Sequence, residues 1–169
     1  MKTTGLVVTT SELTIYEGVA VDWKPLVGER VDVVLTNPYG NLPLSLAKTP
    51  MVIHQWVYRK AQAELWARRP LPFTVSLWNH GREAFWASDD WPAPVAVDLS
   101  GFAPEPEGWY PESMVRLLLP AYVTPGQTVW DGFMGRGTTA KVCREMGVKY
   151  IGVEQLPKHV ALAREYLGI

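Results

Sequence analysis

With one cysteine, Cys143, in 169 residues, the chain cannot close an internal disulfide. A lone thiol without a cysteine or histidine at ligand spacing is also a poor metal ligand, so Cys143 is assigned to packing. No uninterrupted apolar run reaches the roughly 18 residues that a spanning helix needs, and no membrane segment is expected. Met1 to Thr10 lacks the charged, then apolar, then small order of a secretory leader, so the expected location is the cytoplasm. Neither sign of charge is in excess: 16 Lys and Arg stand against 17 Asp and Glu, which argues against tight, autonomous binding to duplex DNA. The three histidines, His54, His80 and His159, share no ligand spacing and are assigned to surface or packing positions. No metal is expected, and no internal repeat or low-complexity run is present.

The chain does have the balance of a globular protein, 47% hydrophobic and 20% charged, and a length that suits one domain over residues 1–169. Leu13 to Ile15 and Val31 to Thr36 are short, β-branched and apolar. The second is near-continuous, as expected of a strand buried on both faces, and Asn37-Pro38 ends it. Pro50 to Arg69 carries helix formers and is expected to be a helix closed by Pro70 and Pro72. Its Arg59, Lys60, Arg68 and Arg69 would serve either as a solvated helix face or as phosphate contacts.

Phe73 to Trp78 and Val95 to Leu99 are expected strands, Gly101 to Pro111 a loop, and Pro111 to Leu119 a helix. After Pro125-Gly126 the pattern sharpens. Thr128 to Trp130 is a strand, Gly132 to Gly137 a turn, Thr138 to Met146 a helix, Tyr150 to Glu154 a strand, and Pro157 to Leu167 a helix. A strand, glycine turn, helix and strand form a βαβ unit, so the expected class is α/β with a mostly parallel central sheet flanked by helices.

Asp131-Gly132-Phe133-Met134-Gly135-Arg136-Gly137-Thr138-Thr139 lies between strand and helix, where an open α/β sheet meets a nucleoside cofactor. Its glycines let the backbone approach the ligand. Glu154 ends the next strand roughly 20 residues on, where a carboxylate can accept hydrogen bonds from ribose hydroxyls. A bare tight turn would use the glycines alike, but would not call for the acid. A phosphate-cradling P-loop fits less well, since no lysine precedes Thr138-Thr139.

Thr36-Asn37-Pro38-Tyr39-Gly40 sets an amide, a carbonyl and an aromatic ring after a buried strand. Alone, Asn-Pro-Tyr-Gly is also an ordinary turn sequence. Chemically, the Asn37 side-chain oxygen and the Pro38 carbonyl can accept the hydrogens of an exocyclic base amine and turn its lone pair toward an electrophile. Tyr39 can stack on the base.

Together the two segments resemble the DNA amino-methyltransferases, in the circularly permuted (beta-class) order that sets the catalytic motif before the cofactor motif. Val31 to Tyr39 looks like the family's buried strand and Asp/Asn/Ser-Pro-Pro-aromatic motif, one proline shorter. Asp131, Phe133, Gly135, Gly137, Thr138 and Thr139 match its Asp-Pro-Phe-x-Gly-x-Gly-Thr-Thr turn, with Gly132 in place of the second-position proline. Glu154 matches its ribose-binding acid, and Trp109 to Leu118 looks like a degenerate start of the helix before the cofactor strand, with Pro111 at its proline.

The resemblance implies a Rossmann-like fold with S-adenosyl-L-methionine as cofactor, bound by Glu17, Gly18, Asp131, Gly132, Phe133, Gly135, Gly137, Thr138, Thr139 and Glu154. The catalytic residues it implies are Asn37, Pro38 and Tyr39. Methyl transfer to a DNA base amine is the implied reaction. N6 of adenine is favoured over N4 of cytosine, because serine is the commoner first motif residue among cytosine-directed members. Roughly 70 residues separate Gly40 from Pro111, too few for a separate target-recognition domain. Weak intrinsic DNA specificity is therefore expected, and sequence-specific reading would be borrowed from a second copy in a homodimer or from a partner protein, or be done by loops. Two rival readings are a binding or regulatory subunit without catalysis, and an enzyme acting on RNA, a protein amide or a small amine. The eight tryptophans, Trp109 and Trp130 among them, are assigned mostly to packing.

Overall fold

A computed structural model of the chain describes residues 5–19, 31–36, 51–56, 73–79, 82–87, 109 and 111–169. Its strands are β1 (Gly5–Thr9), β2 (Leu13–Glu17), β3 (Val33–Thr36), β4 (Met51–Trp56), β5 (Phe73–Asn79), β6 (Arg82–Ala87), β7 (Thr128–Asp131) and β8 (Lys149–Glu154). Among the described residues these form one sheet in the order β1-β2-β8-β7-β3-β4-β5-β6. Every pairing from β2 to β5 is parallel. β1 and β6 close the two edges antiparallel.

Helices α1 (Glu112–Leu118), α2 (Thr138–Glu145) and α3 (Pro157–Leu167) flank the sheet, and a 3-10 turn (Leu119–Ala121) follows α1. Side chains alternate along the strands. Leu13, Ile15, Val33, Leu35, Val129 and Tyr150 thus share one face, packed in a core with Met114 and Leu118 of α1, Val142 and Cys143 of α2, and Ala163 and Leu167 of α3. Tyr16, Trp130, Ile151 and Val153 alternate with them and are buried as well. Burial on both faces is the reason these central strands read as near-continuous apolar runs.

β3 and β7 adjoin although more than half the chain separates them. Their starts are clasped by two hydrogen bonds: the Asp32 N–H donates to the Thr128 carbonyl, and the Thr128 N–H donates to Asp32 Oδ2, each at 2.9 Å.

The helices are joined on their outer side by Glu112, at the start of α1. Its carboxylate accepts from Lys141 of α2 and from the Tyr166 hydroxyl of α3, and Arg116 donates to it at 3.0 Å. Arg116 also pairs with Glu145. Lys141 first, then Tyr166, hold the Glu112 carboxyl down at about 2, well below its ordinary value of 4.5.

The expected helix from Pro50 is corrected at its start. Met51–Trp56 is strand β4, bonded on one side to β3 and on the other to β5. β-branched Val52 and Ile53 followed by aromatic Trp56 suit a pleated ladder, and sheet pairing overrides the helical spacing. Residues 57–69, including Arg59, Lys60, Arg68 and Arg69, lie outside the described residues, as does Val95 to Leu99. Two strands were not anticipated: β1, and β6, which pairs with β5 down to Asn79 opposite Arg82. The other expected strands and helices in the described residues agree to within a few positions.

Candidate functional site

Because β2, β8, β7 and β3 are parallel, their C-terminal ends share one edge of the sheet. Glu17 lies opposite Glu154, and Asp131 opposite Gly152. Alternation along the strands puts Glu17, Glu154 and Asp131 on the face that carries Tyr150. The polypeptide leaves β3 at this same edge, and the next residue in sequence is Asn37. Asn37, Pro38 and Tyr39 themselves lie outside the described residues.

The glycine turn follows β7 directly. Gly135 has φ +58° and Gly137 φ +85°, left-handed conformations that glycine adopts without a Cβ penalty. Gly137 is the N-cap of α2 and offers no side-chain cap, so backbone donors at the helix start point toward the turn. Met134 N–H donates to the Val153 carbonyl at 3.1 Å, tying the turn to β8.

Glu154 is buried, and both its oxygens accept backbone hydrogen bonds. Oε2 takes the Gly135 N–H and Oε1 the Leu156 N–H, each at 2.9 Å. A carboxylate oxygen has two acceptor positions, so the acid retains capacity for hydroxyl donors while it fixes the turn. Gly18 N–H donates to the Glu154 carbonyl at 2.8 Å, which brings the Glu17-Gly18 pair to the same corner.

Asp131 is also buried and also positions the turn. Its Oδ1 accepts the Phe133 N–H and its Oδ2 the Tyr150 hydroxyl, each at 3.0 Å. Burial first, and then the neighbouring Asp131 charge, push the Tyr150 phenol well above its usual value, so it stays a proton donor. Thr138 and Thr139 are buried at the start of α2, with Thr138 Oγ1 accepting from Arg136 Nε at 3.3 Å.

Gly132, where the resembled motif has proline, has a local cause. A Cβ there would stand 2.2 Å from Cη2 of Trp130, whose ring is fully buried. The large strand residue takes the volume that a ring at position 132 would need.

Three contacts at the site were not legible beforehand: the Tyr150–Asp131 hydrogen bond, Trp109 over Gly135, and His159 beside Glu154. The indole of Trp109 lies where a Cβ on Gly135 would be 2.5 Å away. His159 packs edge-on to that indole with ring centroids 5.1 Å apart, and its Nδ1 is 3.6 Å from Glu154 Oε1. The packing expected of His159 is present, but at the site. Cys143 is buried, and burial pushes its thiol far up, so it is an inert packing residue. Among the described residues no cluster of His, Cys, Asp or Glu is arranged for a metal, and no helix is long and apolar enough to cross a membrane.

A parallel sheet with a strand, glycine turn, helix and acid-ended strand is the Rossmann-like fold of AdoMet-dependent methyltransferases, and solved structures of that fold superpose on the chain. The M1.HpyAVI–SAM complex does so with a TM-score of 0.56 over 93% of this chain and all of that one, at 15% identity. The PvuII DNA methyltransferase (cytosine-N4-specific) gives 0.54 over 92% of this chain and 86% of that one, also at 15% identity. The chain belongs to the DNA methylase family of the N6/N4 type, which it matches over residues 75–165, more than half its length. That match contains Asp131 to Thr139 and Glu154; Asn37 precedes it.

Among curated relatives, the type II methyltransferase M.XycI of Xanthomonas campestris pv. cyanopsidis is 27% identical over 149 residues, 82% of this chain and 44% of that enzyme. M.SmaI of Serratia marcescens is 39% identical over 56 residues, 33% of this chain and 19% of that one. The chain thus spans less than half the length of the curated relatives it matches.

Proposed function

We propose that the protein transfers a methyl group from S-adenosyl-L-methionine to an exocyclic amine of a DNA base, most favourably N6 of adenine, and that it is of the permuted type. The observation that carries this reading is the bond from Gly135 to Glu154, made at the sheet edge where the chain passes from β3 into Asn37. Family membership supports it. The residues present fit the cofactor. Glu154 keeps acceptor capacity for ribose hydroxyls, and the uncapped start of α2 offers N–H donors to a carboxylate. Glu17, Gly18, Asp131 to Phe133, Thr138 and Thr139 complete the surroundings.

S-adenosyl-L-methionine supplies an electrophilic methyl on a positively charged sulfur. Asn37 Oδ1 and the Pro38 carbonyl hold the base amine so that its lone pair faces that carbon, and Tyr39 stacks on the base. With the cofactor bound, the base nitrogen would take up the methyl carbon as the C–S electron pair stayed on sulfur, and the amine proton would pass to water. No covalent bond to the protein is needed. A base within a duplex must first leave the stack, whereas single-stranded DNA spares part of that cost.

One domain over residues 1–169 would carry both halves of this chemistry, with target recognition supplied by a second copy or a partner. The shared length with curated relatives, less than half of theirs, favours recognition from outside this segment. Incubation with labelled S-adenosyl-L-methionine and DNA of varied sequence, followed by identification of the modified base, tests the proposal. Labelled N6-methyladenine is the expected product. N4-methylcytosine would replace the base assignment, and transfer to RNA or protein alone, or no transfer, would reject the activity on DNA.

A further inference from the structure

We propose that Trp109 is a binding residue for the cofactor's nucleoside: its indole forms one wall of the site between the glycine turn and Glu154. The role rests on the cofactor reading proposed above. Two contacts on different elements fix the ring. On one side the six-membered part of the indole covers Gly135, with Cζ3 and Cε3 at 2.5 and 3.2 Å from where a Cβ would be. On the other, His159 in the first turn of α3 meets the ring at an interplanar angle of 78°. His159 Nδ1 is in turn 3.6 Å from Glu154 Oε1. A single aromatic therefore reaches from the turn to the neighbour of the acid proposed to hold the ribose.

Gly135 has no side chain at a point where the indole already takes the space. The glycine thus admits Trp109 as well as permitting the left-handed backbone. Trp109 is only partly buried, in contrast to Trp130 at 0% exposure, so part of its surface remains for a ligand. An indole packed against backbone and imidazole has little rotamer freedom to lose on binding, and a purine can stack on or pack against its exposed part. The Arg136 guanidinium, 6.0 Å from the Trp109 ring, stands nearer the Tyr166 ring at 4.8 Å.

The test is calorimetric titration of the full chain with S-adenosyl-homocysteine, which has the same nucleoside without the charged sulfur, on wild type, Trp109→Phe and Trp109→Ala. We expect Trp109→Ala to bind on the order of tenfold more weakly, the scale of a lost stacking contact, with a Tm close to wild type. Trp109→Phe, which keeps an aromatic face, should restore most of the affinity. The change in indole emission on ligand addition should be smaller in Trp109→Phe than in wild type. That emission difference decides the matter if Trp109→Ala does not fold. Wild-type affinity in Trp109→Ala, or an emission change identical in Trp109→Phe and wild type, overturns the role of Trp109 and leaves the cofactor site standing. A wild-type protein that binds neither S-adenosyl-homocysteine nor S-adenosyl-L-methionine overturns the cofactor site itself.

Discussion

The backbone N–H of Gly135 donates to Glu154 Oε2 at 2.9 Å, across 19 residues of sequence. The acid that ends β8 is thereby a structural partner of the turn as well as a candidate ligand for ribose. Substitutions at Glu154 should act on both.

For Glu154→Gln, the amide keeps one acceptor but turns an NH2 toward a backbone donor. Since a buried donor left without its acceptor costs about 1–3 kcal/mol, we expect a lowered urea midpoint together with weaker cofactor binding. Calorimetry and denaturation on the same preparation check this. Unchanged affinity would remove Glu154 from the cofactor site, and unchanged stability would remove it as the anchor of the turn.

Gly132 and Trp130 should behave as a coupled pair. Gly132→Pro, which installs the residue of the resembled motif, should destabilise the wild-type background by about 1–3 kcal/mol through overpacking. The same change made with Trp130→Leu should cost less than the sum of the two single effects. A double-mutant cycle by urea denaturation measures the difference, and strict additivity would show that the indole is not what selects glycine.

Glu112 predicts an acid-dependent loss of stability. Its carboxyl is near 2 in the folded protein against 4.5 ordinarily, through Lys141, Tyr166 and Arg116, so the unfolded chain binds the proton more readily. The stabilisation is complete above about pH 4.5 and is lost progressively as the pH falls toward 2. With the side chain 27% exposed, solvent screening limits the contribution to about 1 kcal/mol. Glu112→Gln should show a lower Tm than wild type near neutral pH, with the gap closing in that acid window. A gap independent of pH would rule out the ionic contribution.

Asn37→Ala should abolish methyl transfer while leaving cofactor binding within a few-fold of wild type, because the amide is proposed to hold the acceptor amine and not the donor. A fully active Asn37→Ala enzyme would reject the catalytic assignment.

The β7–α2–β8 unit was legible because each boundary has a local chemical cause. Pro125-Gly126 breaks the chain, glycines permit the turn at 135 and 137, and Glu154 follows an apolar strand at fixed spacing. Hydrogen bonding that depends on the fold was not: Tyr150 reaches Asp131 only because β8 pairs with β7, and Lys141, Tyr166 and Glu112 meet only after three helices pack. Met51–Trp56 reads ambiguously because an apolar run as short as Met51 to Ile53 fits either period, and the ladder on both sides settles it. The catalytic motif was read from residue types alone, and its geometry lies outside the described residues.

The Asp32–Thr128 clasp sits at the opposite end of β3 and β7 from the proposed chemistry, and it fixes the register in which the two strands run toward it. Sliding one strand by a single residue would turn Val33 and Leu35 out of the core and invert the side-chain sequence leading to Asn37. Two short polar bonds at the bottom of the sheet therefore act as a gauge for the top, where β3 runs out toward Asn37 and β7 into the glycine turn.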